Sequence, residues 1–271
     1  MRRNSLTFLL CLILAGVAVF SGYKIVKALL DYKVGEDTYK DLQQYVQMAD
    51  PTKPAEKETV TNHTNPTGEV REDVETVPVA TESKNPGIQV DFEALKNINS
   101  DVVGWIYLED SKVNFPVVQG EDNHEYLYWL INGEYNGAGT PFLDYRNAPD
   151  FSDRNTVIYG HNMNNGAMFA DIHKYEDQEY YDAHPVIWLL TPERNYRLEV
   201  FAGYKTGLDA NAWQMFFTSD EEYREWLDTA MEKSAFESAV TPMLEDRIVT
   251  LSTCSDSANQ IRFVLLGVIR E

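Results

Sequence analysis

Ile248-Val249-Thr250-Leu251-Ser252-Thr253-Cys254-Ser255-Asp256-Ser257-Ala258-Asn259-Gln260-Ile261-Arg262-Phe263-Val264-Leu265-Leu266 holds two β-rich runs separated by a polar segment. Residues 248–251 are branched and apolar, Ser252-Thr253-Cys254 closes the run, and 255–260 has the small polar composition of a loop. A second apolar run starts at Ile261. If the two runs pair as a hairpin, Arg262 stands beside Cys254. An arginine heading an apolar strand is costly to bury without an anionic partner, and beside a thiol it can stabilise a thiolate or an oxyanion. A surface arginine paired with an acid is the alternative.

Cys254 is one of two cysteines in 271 residues; the other, Cys11, lies in an apolar N-terminal stretch. A lone thiol in an exported domain has no intramolecular disulfide partner. It is either a nucleophile or a small buried hydrophobe. A cysteine nucleophile needs a proton carrier. Among five histidines, His63 falls in a Pro-rich segment, His124 and His173 in helical or acidic stretches, and His184 precedes Pro185. His161 follows Thr156-Val157-Ile158-Tyr159-Gly160 and so sits at a strand exit, like Cys254. It is the best candidate base, with a satisfied structural histidine as the alternative. No CxxC or HxxxH spacing points to zinc, and no cofactor is expected.

Outward from this pair, residues 102–108, 113–118, 156–159, 186–190, 196–204, 248–251 and 263–269 read as short strands, with 142–145 as a further candidate. Residues 91–98, 167–174 and 219–233 have helical patterning. In the last, Tyr223, Trp226, Leu227 and Met231 share one face. Seven or eight strands with inserted helices predict a mostly β fold, a barrel or sandwich decorated by helices.

Residues 4–23 are uncharged, and twenty residues at about 1.5 Å each span a bilayer of about 30 Å. A cleaved signal peptide is the alternative, but the apolar run is long for one and its small residues lie inside it. We expect an uncleaved single-pass anchor over 1–30, with Arg2 and Arg3 inside the cell and the remainder outside. A short helix is expected over 31–48. From 49 to 90 there is no aromatic residue, and five prolines are spread among Thr, Glu, Lys and Asn, so 31–90 reads as a stalk, largely disordered after 48. Residues 91–271 form the globular domain. Its 31 acidic against 13 basic residues carry most of a formal charge of −20, which argues against a nucleic-acid partner.

Taken together, these residues resemble the sortase family. Thr250-Leu251-Ser252-Thr253-Cys254, with Arg262 eight residues on, is similar to the TLxTC…R signature, and Asn155-Thr156-Val157-Ile158-Tyr159-Gly160-His161-Asn162-Met163 to the histidine segment. Met168-Phe169-Ala170-Asp171-Ile172, Tyr175 and the helical insert at 219–233 resemble class B. The resemblance implies a closed eight-stranded barrel on the outer face of a Gram-positive cell membrane. It implies a cysteine transpeptidase that cuts an NPxTx-type C-terminal sorting signal after Thr and holds the acyl group as a thioester. An amine of cell-wall peptide or a pilin lysine then takes that group. It assigns Cys254 as nucleophile, His161 as general acid then base, Arg262 as oxyanion or substrate stabiliser, and Ser252 and Thr253 to the substrate groove. An exported cysteine hydrolase and a non-catalytic wall-binding module are the competing readings.

Overall fold

The structure is a computed structural model that describes residues 2–48, 87–256 and 260–270. The expected stalk from 49 to 86 and residues 257–259 of the polar loop lie outside the described residues. The helix α1 (Arg2–Leu42) is followed by β1 (Val46–Met48), β2 (Ile88–Val90), α2 (Phe92–Ile98), β3 (Val102–Tyr107), β4 (Asn114–Val118) and β5 (Phe142–Leu143). Then come β6 (Asn155–Tyr159), α3 (Gln178–Ala183), β7 (Val186–Leu190), β8 (Asn195–Gly207), α4 (Asp220–Lys233), β9 (Ile248–Asp256) and β10 (Ile261–Arg270).

Strands β3 to β10 close a barrel in the order β10-β8-β7-β3-β4-β5-β6-β9, with β9 returning to β10. The pairs β4/β5 and β6/β9 are parallel and the others antiparallel. The eight-stranded barrel is therefore as expected, and the sandwich alternative is excluded. Alternation along β10 shows how the sequence builds it. Phe263 and Leu265 join the main core with Val249 and Leu251 of β9. Val264, Leu266 and Val268 point to the other face and join a second core with Tyr223, Trp226 and Leu227 of α4. Helix α4 starts where Ser219 Oγ accepts from Glu222 N, with three acids in its first turn to complement the helix dipole.

The local outcomes differ from the sequence pattern in three places. The helix expected over 31–48 is the continuation of α1 as far as Leu42, so a single 41-residue helix of about 60 Å carries both the apolar stretch and the polar segment after it. The helical stretch at 167–174 is a 3-10 helix, Phe169–Glu176. Strand β9 runs on to Asp256, because the ladder to β10 overrides the polar composition of 255–256.

The last turns of α1 pack directly on the barrel. Tyr39, 5% exposed, donates its hydroxyl to Gly139 O and lies 2.9 Å from Thr140 Oγ1. Gln43 donates to Asn114 O at 3.2 Å and accepts from Asn114 Nδ2 at 2.8 Å, while Asn114 Oδ1 accepts from the fully buried Trp105 at 2.7 Å. Beyond the helix, β1 pairs antiparallel with β2, Met48 opposite Ile88. Tyr39→Phe strands the Gly139 carbonyl at this seam, so the full chain in detergent should lose about 1–2 kcal/mol, a melting-point drop of a few degrees by circular dichroism.

Candidate active site

Strands β6 and β9 lie parallel, with Tyr159 opposite Ser252 and Gly160 N donating to Ser252 O at 3.1 Å. Parallel neighbours end at the same rim of a sheet. The residues that follow β6 therefore meet those that end β9, although about 90 positions separate them. From this rim Gly160-His161 leaves β6, while β9 runs on through Ser252, Thr253 and Cys254 to Asp256. Arg262 enters on β10 directly opposite Cys254, beside a bulge at Ile261/Arg262. Cys254 is located here by its backbone, and the two-residue strand period sets position 254 on the face of Ser252.

A cleft of about 380 Å³ opens at this rim, and His161, Ser252, Thr253 and Arg262 all line it. Among the described residues His161 is its only histidine. His161 Nε2 lies 2.8 Å from Leu127 O. A carbonyl only accepts, so in this contact Nε2 carries the hydrogen. The ring also meets Tyr128 at 6.2 Å between centroids. The turn before it has no room for a side chain at 160, where a Cβ would come within 2.5 Å of the buried Phe169 ring. Ser252 Oγ accepts from Trp213 Nε1 at 2.9 Å, and both residues face the cleft. Thr253 Oγ1 is buried without a hydrogen-bond partner. A buried hydroxyl in that condition costs free energy until a ligand supplies a partner.

The opposite wall is set by one buried carboxylate. Asp144, fully buried, accepts from Arg146 Nε and Nη2 at 2.9 and 2.8 Å, from Asn123 Nδ2 at 2.8 Å and from the Tyr159 hydroxyl at 3.0 Å. Asn123, Arg146 and Tyr159 all line the cleft. Burial pushes the Asp144 carboxyl up, but donation from the Arg146 side chain and backbone, Asn123 and Tyr159 outweighs it and holds the group below its ordinary 3.8. Burial pushes the Tyr159 phenol up, and the Asp144 charge adds to that. No cluster of three or more His, Cys, Asp or Glu side chains among the described residues could hold a metal ion.

The family model of the sortase domain matches residues 106–269. The chain belongs to the sortase family. The sortase is similar to Sortase B of Listeria monocytogenes, 34% identical over 245 residues that cover 90% of this chain and 88% of that protein. It is also similar to Sortase B of Staphylococcus aureus, 32% identical over 260 residues, 96% and 94% of the two chains. Among solved structures, a Staphylococcus aureus sortase B–substrate complex superposes with a TM-score of 0.64 at 37% identity, covering 66% of this chain and 84% of that one. This chain is thus a class B sortase, a cysteine transpeptidase, as the motifs implied.

The motifs did not bring out Trp213, Asn123, Leu127 or the Asp144 hub of this sortase. A tryptophan in the polar stretch Asn211-Ala212-Trp213-Gln214 was the available signal for one wall. Asp144-Tyr145-Arg146, a carboxylate and a guanidinium two residues apart after a strand, was the signal for the other.

A carboxyl held below its ordinary value adds stability that is complete above about pH 4 and is lost as pH falls through the folded value. The melting-point gap between wild type and Asp144→Asn should therefore be widest near neutral pH and close on acidification. A gap independent of pH would show that the Asp144 charge does not organise this wall.

Proposed function

We propose that this sortase cuts an NPxTx-type sorting signal after its threonine and passes the acyl group to a primary amine, of cell-wall peptide or of a pilin lysine. One observation carries the assignment of roles: the register of Cys254 against Arg262, with His161 just beyond the end of the strand that pairs parallel with β9, and with His161 and Arg262 lining one cleft. In this reading the Cys254 thiolate attacks the threonine carbonyl carbon, and the electron pair displaced onto oxygen is held by the Arg262 guanidinium. As the tetrahedral species collapses, the C–N bond breaks and His161 gives its proton to the leaving amine. The thioester remains. An incoming amine attacks it, His161 takes up the amine proton, the new amide forms and the thiolate is released.

Ser252 and Thr253 line the signal's groove in this reading, the unpartnered Thr253 hydroxyl being suited to a peptide group. The bound signal shields the thioester, so that amine rather than water completes the reaction. Residues 1–30 anchor the protein in the cell membrane as a single pass, 31–90 join anchor to enzyme, and the catalytic domain of 91–271 faces outward. Support for the anchor comes from α1 itself, a helix apolar and long enough to cross a bilayer and exposed along that apolar stretch.

Incubation of the full chain with NPxTx peptides, with and without amine donors, tests this by mass spectrometry. Wild type should give a transient acyl-enzyme and, with amine, a ligated product. Cys254→Ala should give neither. His161→Ala and Arg262→Ala should each slow turnover by about 10²–10⁴-fold and 10²–10³-fold. An acyl-enzyme in Cys254→Ala would overturn the nucleophile, and acid products that persist under excess amine would favour a hydrolase.

A further inference from the structure

Beside the cleft, the chain from 128 to 136 doubles back on itself, with Trp129 opposite Tyr135 and Asn136 N donating to Tyr128 O at 2.8 Å. It displays three aromatic side chains to solvent. Tyr135 is 69% exposed, Tyr128 47% and Trp129 42%. They pack on one another, Tyr128 against Tyr135 with centroids 6.0 Å apart and Trp129 edge-on to Tyr135 at 5.6 Å. A cluster of large aromatics held rigid in water asks for an occupant.

The contacts of α1 say where this cluster sits. Thr140 and Gly139 meet Tyr39, Ala138 abuts Gly35, and Asn136 Nδ2 donates to Asp31 O at 2.7 Å. Residues 136–140 thus run parallel to the helix, about two residues per helical turn, and followed back from 140 to 136 they lead toward its apolar half. Tyr135 is the next residue, one Cα step of about 3.8 Å further. Immediately before Asp31 the helix exposes Ile25, Val26, Leu29 and Leu30, each more than half accessible, with Lys24 and Lys27 among them. Aliphatics interleaved with lysines whose ammonium groups can reach upward are the pattern of a bilayer boundary. The boundary thus lies between the uncharged stretch that ends at Tyr23 and the acidic Asp31, which puts Asp31, and so Tyr135, on the headgroup side of it.

We propose that Tyr128, Trp129 and Tyr135 form an interfacial foot that seats the barrel on the headgroup layer of the membrane crossed by α1. Tyrosine and tryptophan favour that layer because their rings are apolar and their polar ends stay hydrated. The proposal rests on the reading of α1 as a membrane span. It has a consequence for the site: Leu127, next to the foot, lines the cleft and its carbonyl holds His161, while Tyr128 touches the imidazole. The cleft's histidine wall is then fixed at the height of the lipid headgroups.

The five tryptophans all lie outside α1, so tryptophan quenching by lipid reports the barrel alone. The full chain is reconstituted in phosphatidylcholine–phosphatidylglycerol vesicles carrying lipids brominated either near the headgroup or deep in the acyl chain. Shallow bromines should quench the wild type more than deep ones, and Trp129→Phe should lose that shallow quenching. Protein that floats with vesicles but shows no quenching attributable to Trp129 overturns the foot alone. Protein that fails to float overturns both the foot and the anchor. Neither result bears on the chemistry of Cys254.

Discussion

The parallel pairing of β6 with β9 is the constraint on which the rest depends. Two strands that run the same way must end at the same rim, so the segments leaving them share a neighbourhood that their distance in sequence gives no hint of. Closure by β10 then returns the chain antiparallel and brings Arg262 to the same place. A slip of one residue in either ladder would turn alternate side chains to the opposite face and dismantle the cleft while leaving the barrel closed. The function therefore rests on register rather than on the existence of the strands.

Charge is arranged locally against the overall trend. The chain is strongly acidic, yet its cleft is lined by Arg146 and Arg262. Arg146 is kept by a buried carboxylate that also holds Asn123 and Tyr159, so one ion pair fixes three lining side chains at once. Hydrogen bonds to a charged acceptor are stronger than neutral ones and lose little to solvent when the acceptor is buried. Such a wall needs little reorganisation when a peptide enters.

What could be read from the residues was local or motif-borne. The strand exit at Tyr159, the amphipathic face of α4 and the apolar start of α1 are periodicities of a few residues, and the structure returns them, whereas the exit expected at Cys254 moves to Asp256. Barrel closure was open from the strands alone and came through the family resemblance. The cleft-lining positions of His161, Ser252, Thr253 and Arg262 followed because the motifs fix their order along strands. Partners without a local signature stayed hidden. Asp144 looks like any surface acid until Tyr159, Asn123 and Arg146 converge on it. Trp213 acquires meaning only through Ser252, 39 residues away. The pairing of Val46–Met48 with Ile88–Val90 involves three residues on each side and some forty between, too little pattern over too great a separation to detect.

That small pairing has an architectural consequence. Since Met48 and Ile88 face one another, the chain between them departs from and comes back to a single point on the barrel's flank. Its length is thereby uncoupled from the way α1 sits on the barrel, which the contacts of Tyr39, Gln43 and Asn136 set instead. Relatives could gain or lose dozens of residues there at a cost that grows only logarithmically, with the catalytic rim staying where it was.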